Sequence, residues 1–471
     1  MRSLYKTLAI TGGAALALAA VFFALLLQPS PRAAQGQAIT FTSVEPVEIS
    51  SVSVQNATGA YRFYYEGDGY VLDDIPASIA DLNAFIDFMV NAGKLSAIRQ
   101  LSGDPMEYGL EALSATVKID FFQGKTLRLD IGGREAISGG YYVAWEGGTY
   151  LMAPAMAEPF LRPKTQVVNP VVTPPLMVTS PLSAIRDVTF TGGPLERPVT
   201  VQAVAGGDET VKLATLSFGS ATHIVREAGV YHLDQTYGIE VLGSLLGIRA
   251  LGVEAYNLSQ DELAALGFDD PWMLVEFDMV NAQNAQVERH VLRIVRHGEE
   301  VFIATLEGSG AVFRIGRLPF MDIQYHRLPV RWFLSPMLMD VSAVTVEAAE
   351  KKYRFDMDSA DARNPIVSFE GETLDTQLFR SFFRLITSAA HDGTYLGPLE
   401  QPSEGEMLRI TYEYAAQGKE PDVLALYPGG VRRARVFING VGEFAMKDLF
   451  AQRVLEGCEN LLAGQPIEEN W

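Results

Sequence analysis

Cysteine is almost missing from this chain: Cys458 is the only one in 471 residues, so no intramolecular disulfide can form. Bacterial surface proteins often avoid cysteine, so this excludes a disulfide framework without fixing the redox compartment. Phe450, Val454, Cys458 and Leu461 recur at helical spacing, which reads Cys458 as a buried small hydrophobe rather than a reactive thiol. Histidine is also scarce, at six residues: His223, His232, His290, His297, His326 and His391. Only His290 and His297 are close in sequence, in a stretch that reads as a hairpin turning at His297-Gly298-Glu299. An odd separation along a strand puts two side chains on opposite faces, so a shared metal is not expected. The sequence has no His-Glu-x-x-His pair, no Gly-x-Ser-x-Gly elbow and no Walker-type loop. No catalytic, cofactor-binding or metal-binding residue is therefore expected.

Positive charge is in deficit too, with 37 Lys+Arg against 57 Asp+Glu and a net charge of −20. No basic stripe offsets it, which excludes nucleic acid as a partner. Beyond residue 27 no apolar run is long enough to span a bilayer. The one such run is Leu8 to Leu27, preceded by Arg2 and Lys6 and ended by Gln28-Pro29-Ser30-Pro31. At about 1.5 Å per residue it spans a hydrocarbon core of about 30 Å. The basic flank should stay cytoplasmic, leaving the bulk of the chain outside. A cleaved signal peptide is the rival reading. Its apolar region is normally shorter, and Arg32-Ala33-Ala34-Gln35 is a poor cleavage site.

What remains is globular in composition, 48% hydrophobic and 20% charged, and too long for one core. It contains a repeat. Residues 48–66 (EISSVSVQNATGAYRFYYE) align without a gap on residues 340–358 (DVSAVTVEAAEKKYRFDMD), at an offset of 292. Identities include Val52/Val344, Val54/Val346, Tyr61/Tyr353, Arg62/Arg354 and Phe63/Phe355. Both segments alternate, turn and alternate again, as hairpins do. In the first copy Ser78 is expected to cap a helix carrying Ile79, Leu82, Phe85, Ile86, Met89 and Val90. In the third, Thr373 precedes Leu374, Leu378, Phe379, Phe382, Leu385 and Ile386; a middle copy has Ile239, Leu242, Leu245 and Leu246 at similar spacing. Gly109-Leu110-Glu111 and Gly267-Phe268-Asp269 follow the first two helices, each with a strand beginning five positions later. Tyr395-Leu396-Gly397-Pro398 is a decayed third version. Glycine-punctuated strands close each copy, with first-copy turns expected at Gln123-Gly124-Lys125, Gly132-Gly133 and Gly147-Gly148.

The expected fold is thus α+β: an N-terminal transmembrane helix, then three related β-β-α-multistrand antiparallel units. The expected segments are 1–38 stub and signal anchor, 39–162 first copy, 163–182 Pro-rich linker, 183–330 second copy and 331–471 divergent third copy.

Tyr108-Gly109-Leu110-Glu111, Gly140-Tyr141-Tyr142-Val143 and Leu266-Gly267-Phe268-Asp269-Asp270-Pro271 carry a resemblance to the bacterial family called domain of unknown function 4340. The first copy lacks that family's proline, and the third lacks most of the block. The resemblance implies an anchored extracytoplasmic protein, and an accessory role beside an ABC transporter of the gliding-motility type, with permease and ATPase as partners. It implies no catalytic residue. Acidic pairs Asp73-Asp74 and Asp269-Asp270 read as solvated turns. Tyr61, Phe63 and Tyr65 on one strand face, and Tyr141 and Trp145 on another, read as core. Exposed, they would instead suit a glycan binder, the competing class together with a hydrolase lacking a motif site.

Overall fold

The computed structural model describes residues 38–102, 105–204, 222–226, 229–281, 284–358 and 365–471; the apolar run Leu8 to Leu27 lies outside them. No helix among the described residues is long and apolar enough to cross a membrane.

The described residues form three nine-stranded antiparallel sheets. The first contains β1 (Ile39–Thr40), β2 (Ile49–Asn56), β3 (Gly59–Glu66) and β4 (Gly69–Leu72), then helix α1 (Leu82–Gly93). It continues with β5 (Ser96–Leu101), β6 (Ala115–Phe121), β7 (Thr126–Arg134), β8 (Tyr141–Trp145) and β9 (Gly148–Met152), followed by α2 (Pro154–Leu161). Its order is β1-β5-β9-β8-β7-β6-β2-β3-β4. After the four-residue helix α3 (Pro181–Ala184), the second sheet uses β10 (Ile185–Gly192), β11 (Val199–Ala203), β12 (His223–Arg226) and β13 (Val230–His232). Helix α4 (Gln235–Gly243), β14 (Gly252–Tyr256) and α5 (Gln260–Ala265) come next. The sheet closes with β15 (Met273–Val280), β16 (Val287–Arg296), β17 (Val301–Leu306) and β18 (Ala311–Gly316). The third has β19 (Val341–Ala348), β20 (Lys351–Asp358), β21 (Ile366–Phe369) and β22 (Glu372–Thr373), α6 (Thr376–Thr387) and β23 (Tyr395–Leu399). It ends in β24 (Leu408–Tyr414), β25 (Asp422–Pro428), β26 (Arg433–Ile438), β27 (Val441–Lys447) and α7 (Leu449–Leu462).

Orders β13-β12-β11-β10-β15-β16-β17-β18-β14 and β22-β21-β20-β19-β24-β25-β26-β27-β23 are the same topology. The YRF segments lie in matching hairpins, β2–β3 and β19–β20, at the sequence offset of 292. The expected β-β-α-multistrand unit is incomplete in two respects. A short third strand extends the hairpin before the helix, and the strand after the helix crosses to the far edge. In all three sheets the first long strand pairs centrally with the one opening the second meander: β2 with β6, β10 with β15, β19 with β24.

Each main helix lays apolar side chains on one sheet face. In α1 these are Phe85, Phe88 and Met89; in α6 they are Phe379, Phe382, Phe383, Leu385 and Ile386. Edge-to-face contacts of Phe63 with Phe85 (5.8 Å) and Phe88 (5.3 Å) show the first of these cores. The caps differ from the sequence expectation. The Asp81 carboxylate accepts from the Asn83 and Ala84 N–H groups, Asp234 from Tyr237, and Asp375 from Gln377 and Leu378. Neither Ser78 nor Thr373 caps, because both helices start later than the apolar spacing suggested. The buried face also differs from the expected one: it runs through Phe85, Phe88, Met89 and Ala92, and leaves Leu82 and Ile86 exposed.

Every copy that has a successor ends by returning to its own pre-helix segment. In the first copy the Asp81 N–H donates to Val167 O (2.7 Å) and the Asn169 N–H to Ile79 O (2.8 Å). In the second, the Asp234 N–H donates to Leu328 O (2.6 Å) and the Val330 N–H to His232 O (2.8 Å). The chain forms two compact units, Met1–Asn169 and Pro170–Trp471, so the second and third copies share one unit.

Candidate functional site

The most elaborate polar and aromatic arrangement among the described residues lies inside the second unit, where its two copies meet. The segment leaving the second copy is hydrogen-bonded on both sides. Beyond its bonds to His232 and Asp234, the Phe333 N–H donates to Ala389 O (3.0 Å), and the His391 N–H to Arg331 O (3.1 Å). Trp332 bridges Ala390. This chain segment is therefore an extended connection zipped to both copies by isolated bridges and backbone hydrogen bonds.

Phe444 of β27 is the hub beneath it. The His391 ring stacks on it at 4.7 Å, and Tyr231, Tyr325, Phe333 and Tyr395 surround it at 5.6 to 6.4 Å. Beside it Glu443 is 1% exposed, and the Tyr325 hydroxyl donates to its Oε2 at 3.0 Å. A register shift puts Glu443 in a bulge, since Val436 pairs with Phe444 and Phe437 with Gly442. A bulge re-aims one side chain out of the alternation, and here it turns a carboxylate into the joint. His391 Nδ1 accepts the Gly393 N–H, so the neutral ring carries its proton on Nε2. Burial, with repulsion from Arg331 and His326, brings the His391 pKa down to about 4. The ring is thus neutral near pH 7. Next to the joint a cleft of about 250 Å³ is lined by Glu196, Arg197, Gln324, Tyr325, His326 and Tyr395, among others. That is below the usual size of a small-molecule site, and Arg197 already donates to the Tyr395 hydroxyl.

No local pattern marks this joint, because Tyr325 and Glu443 are 118 positions apart. The histidines that were close in sequence are not brought together: His290 packs on Phe277 (5.1 Å), while His297 is exposed in the β16–β17 turn. Burial lowers the pKa of His290 and of His223, whose Nε2 lies 2.9 Å from Ile185 O. No group of acidic, histidine or cysteine side chains able to hold a metal occurs among the described residues. Cys458 is fully buried in α7, and burial pushes its thiol pKa up.

Asp73 and Asp74 pair with Lys164, and Asp269 and Asp270 lie in an exposed turn. Tyr61 and Phe63 are core residues, whereas Tyr65 is 41% exposed; Tyr141 and Trp145 are half-buried.

The glycine block has a structural role. Gly109, Gly267 and Gly397 all take positive φ (69°, 89°, 75°), a conformation that favours glycine; the first two follow short helices in turns, whereas Gly397 lies within β23 at a register shift between Tyr395 and Leu399. The residue after the glycine covers the sheet face opposite the main helix. Phe268 is buried there with Ile303 and Val312. Leu110 sits on Gly132, where a Cβ would meet Leu110 Cδ2 at 2.9 Å. Gly132-Gly133 is accordingly not a turn. Both residues lie within β7, at a register shift between Ile131 and Arg134. In the second copy the block lines a cavity of about 510 Å³, with Leu263, Phe268 and Val312 as floor and Asp269, Arg293 and Glu307 at the rim.

No family model, curated protein or solved structure matches the chain.

Proposed function

We propose that this chain is a non-enzymatic, membrane-anchored extracytoplasmic accessory protein whose tandem sheets bind a protein partner. The partner is the permease and ATPase of an ABC transporter of the gliding-motility type. The observation that carries the reading is the threefold use of one sheet topology behind the apolar run Leu8 to Leu27. Repetition enlarges a surface, and the zipped joint makes two of the copies one unit. An anchor helix would confine the sheets to the membrane plane, raising their effective concentration near a permease so that a weak interface suffices. Small residues in the run (Gly12, Gly13, Ala14, Ala15, Ala17) would let another transmembrane helix approach closely.

Two measurements test this. Protease added to intact cells should remove the sheets and spare residues 1–7, whereas release of a protein beginning near Ala38 into the medium would refute the anchor. Gentle detergent extraction and affinity purification should recover a permease and ATPase with the full chain. A form starting at Thr40 should recover less, and repeated isolation of the protein alone at native expression would refute the partnership.

A further inference from the structure

The three sheets differ at both edges, and at one of them the first sheet lacks a strand that the others have. In the second and third copies a fourth strand covers the hairpin extension: β13 pairs with β12, and β22 with β21. In the first sheet β4 pairs with β3 and ends the order. The local sequence accounts for the difference. In the third copy Glu370 and Gly371 both take positive φ (49° and 87°), the twist a two-residue hairpin turn needs, and the chain doubles back as β22. In the first copy only Asp73 does (57°); the Ile75 N–H closes onto Leu72 O at 3.0 Å, and Ile75 turns into the core. Pro76 follows at the position of Thr373 and has no N–H to donate to a ladder. The ninth strand of the first sheet, β1, is at the opposite edge.

An apolar strip runs inward from the bare edge. Tyr65 packs edge-on against Tyr70 of β4 (5.3 Å) and Phe122 (5.5 Å), and Phe122 is 55% exposed. Tyr70 in turn contacts Phe85 of α1 (5.2 Å), whose neighbours Leu82 (65%) and Ile86 (45%) are exposed. The unpaired charge at the turn end of the edge is acidic, whereas just past β4 Asp73 and Asp74 pair with Lys164. Glu66 and Asp68 flank the β3–β4 turn and Asp87 is on α1, all exposed and none in an ion pair among the described residues.

We propose that the β4 edge is a strand-addition site that takes an extended apolar segment with basic ends from a partner protein. The proposal deepens the partner-binding reading by naming a surface and a class of segment, and it does not depend on the partner being a transporter. Backbone pairing to the edge supplies affinity, the tyrosine–phenylalanine strip receives alternate side chains, and the acidic rim selects the flanks. Sister copies show that the position accepts a strand. A second copy of this chain is the poorer occupant, because it would bring the same acidic rim against itself at a net charge of −20.

The test uses the full chain in detergent and a nine-residue probe peptide with lysines at both ends around alternating valine and tyrosine. Binding should slow amide exchange at Gly69–Leu72 by about tenfold or more. A probe of equal charge with proline at its centre should bind about tenfold more weakly. The variant E66K/D68K should prefer the probe with glutamates in place of lysines, and Y65S/F122S should weaken the lysine probe about tenfold. Equal binding of the proline probe, or unchanged exchange at β4 under saturation, overturns the proposal. So does concentration-dependent protection of β4 in the protein alone, which would make the occupant a second copy. None of these readings involves a permease, so they separate failure of the edge from failure of the transporter partnership.

Discussion

The Tyr325 hydroxyl donates to the buried Glu443 carboxylate across the joint between the second and third copies, at 3.0 Å. Hydrogen bonds to charged acceptors are worth about 1.5–3 kcal/mol, and removing one partner leaves the other desolvated. Tyr325→Phe keeps the ring against Phe444 and removes only the donor. It should destabilise the unit Pro170–Trp471 by roughly that amount in urea unfolding, with little effect on the transition of Met1–Asn169. A change below about 0.5 kcal/mol would show that the bond does not hold the joint.

The helix caps give a sharper contrast. Asp81 and Asp375 each accept two backbone N–H groups, whereas Ser78 and Thr373 cap nothing. Asp81→Ala and Asp375→Ala should each cost about 1 kcal/mol. Ser78→Ala and Thr373→Ala should stay within about 0.5 kcal/mol. The reverse ranking in denaturant midpoints would place the helix starts where the apolar spacing first put them.

His391 links the joint to pH. Its pKa is about 4 when folded, chiefly through burial, and about 6.5 when unfolded. Between those values the unfolded chain binds the proton that the folded chain refuses, so stability rises with pH across that window. It is lost as pH falls from about 6.5 to about 4, and below that both states are charged and the loss stops growing. At full development the loss is of order 3 kcal/mol. Buried His223 and His290 are shifted in the same direction. The check is the difference in unfolding free energy between the wild type and His391→Phe, measured from pH 7 to 4. It should move in favour of the variant as pH falls, and a flat difference would refute the assignment.

Much of the fold was legible because the repeat is carried by local pattern. Val52, Val54, Tyr61 and Phe63 alternate into one core, as Val344, Val346 and Phe355 do, so hairpin and register follow from sequence. The glycine of each block marked a positive-φ position for the same local reason, a turn at Gly109 and Gly267 and an irregularity within β23 at Gly397. What was not legible is non-local. β4 has four residues, too few to show a period, and the crossover strands β5, β14 and β23 take their partners from the far edge. The joint unites Tyr231, Tyr325, His391 and Phe444 from separate elements, and no sequence spacing encodes that meeting.

The Gly132–Leu110 contact allows a test that isolates the glycine block from the rest of the sheet. Gly132 has ordinary backbone angles, so alanine there meets no conformational penalty from φ. Its obstacle is steric: the added Cβ would stand 2.9 Å from Leu110 Cδ2 and 3.2 Å from Gly109 O. Gly132→Ala alone should therefore cost about 1–3 kcal/mol, the range for overpacking. Leu110→Ala removes a half-buried side chain and should cost less than the 2–5 kcal/mol of a core leucine. The two residues are in contact, so their effects should not add. In the double variant the isopropyl group lost at Leu110 makes room for the methyl gained at Gly132, and the total should fall below the sum by about 1 kcal/mol or more. The residual contact with Gly109 O limits the rescue. Simple additivity in the cycle, measured by urea unfolding of Met1–Asn169, would mean that the block does not press on β7 at this point.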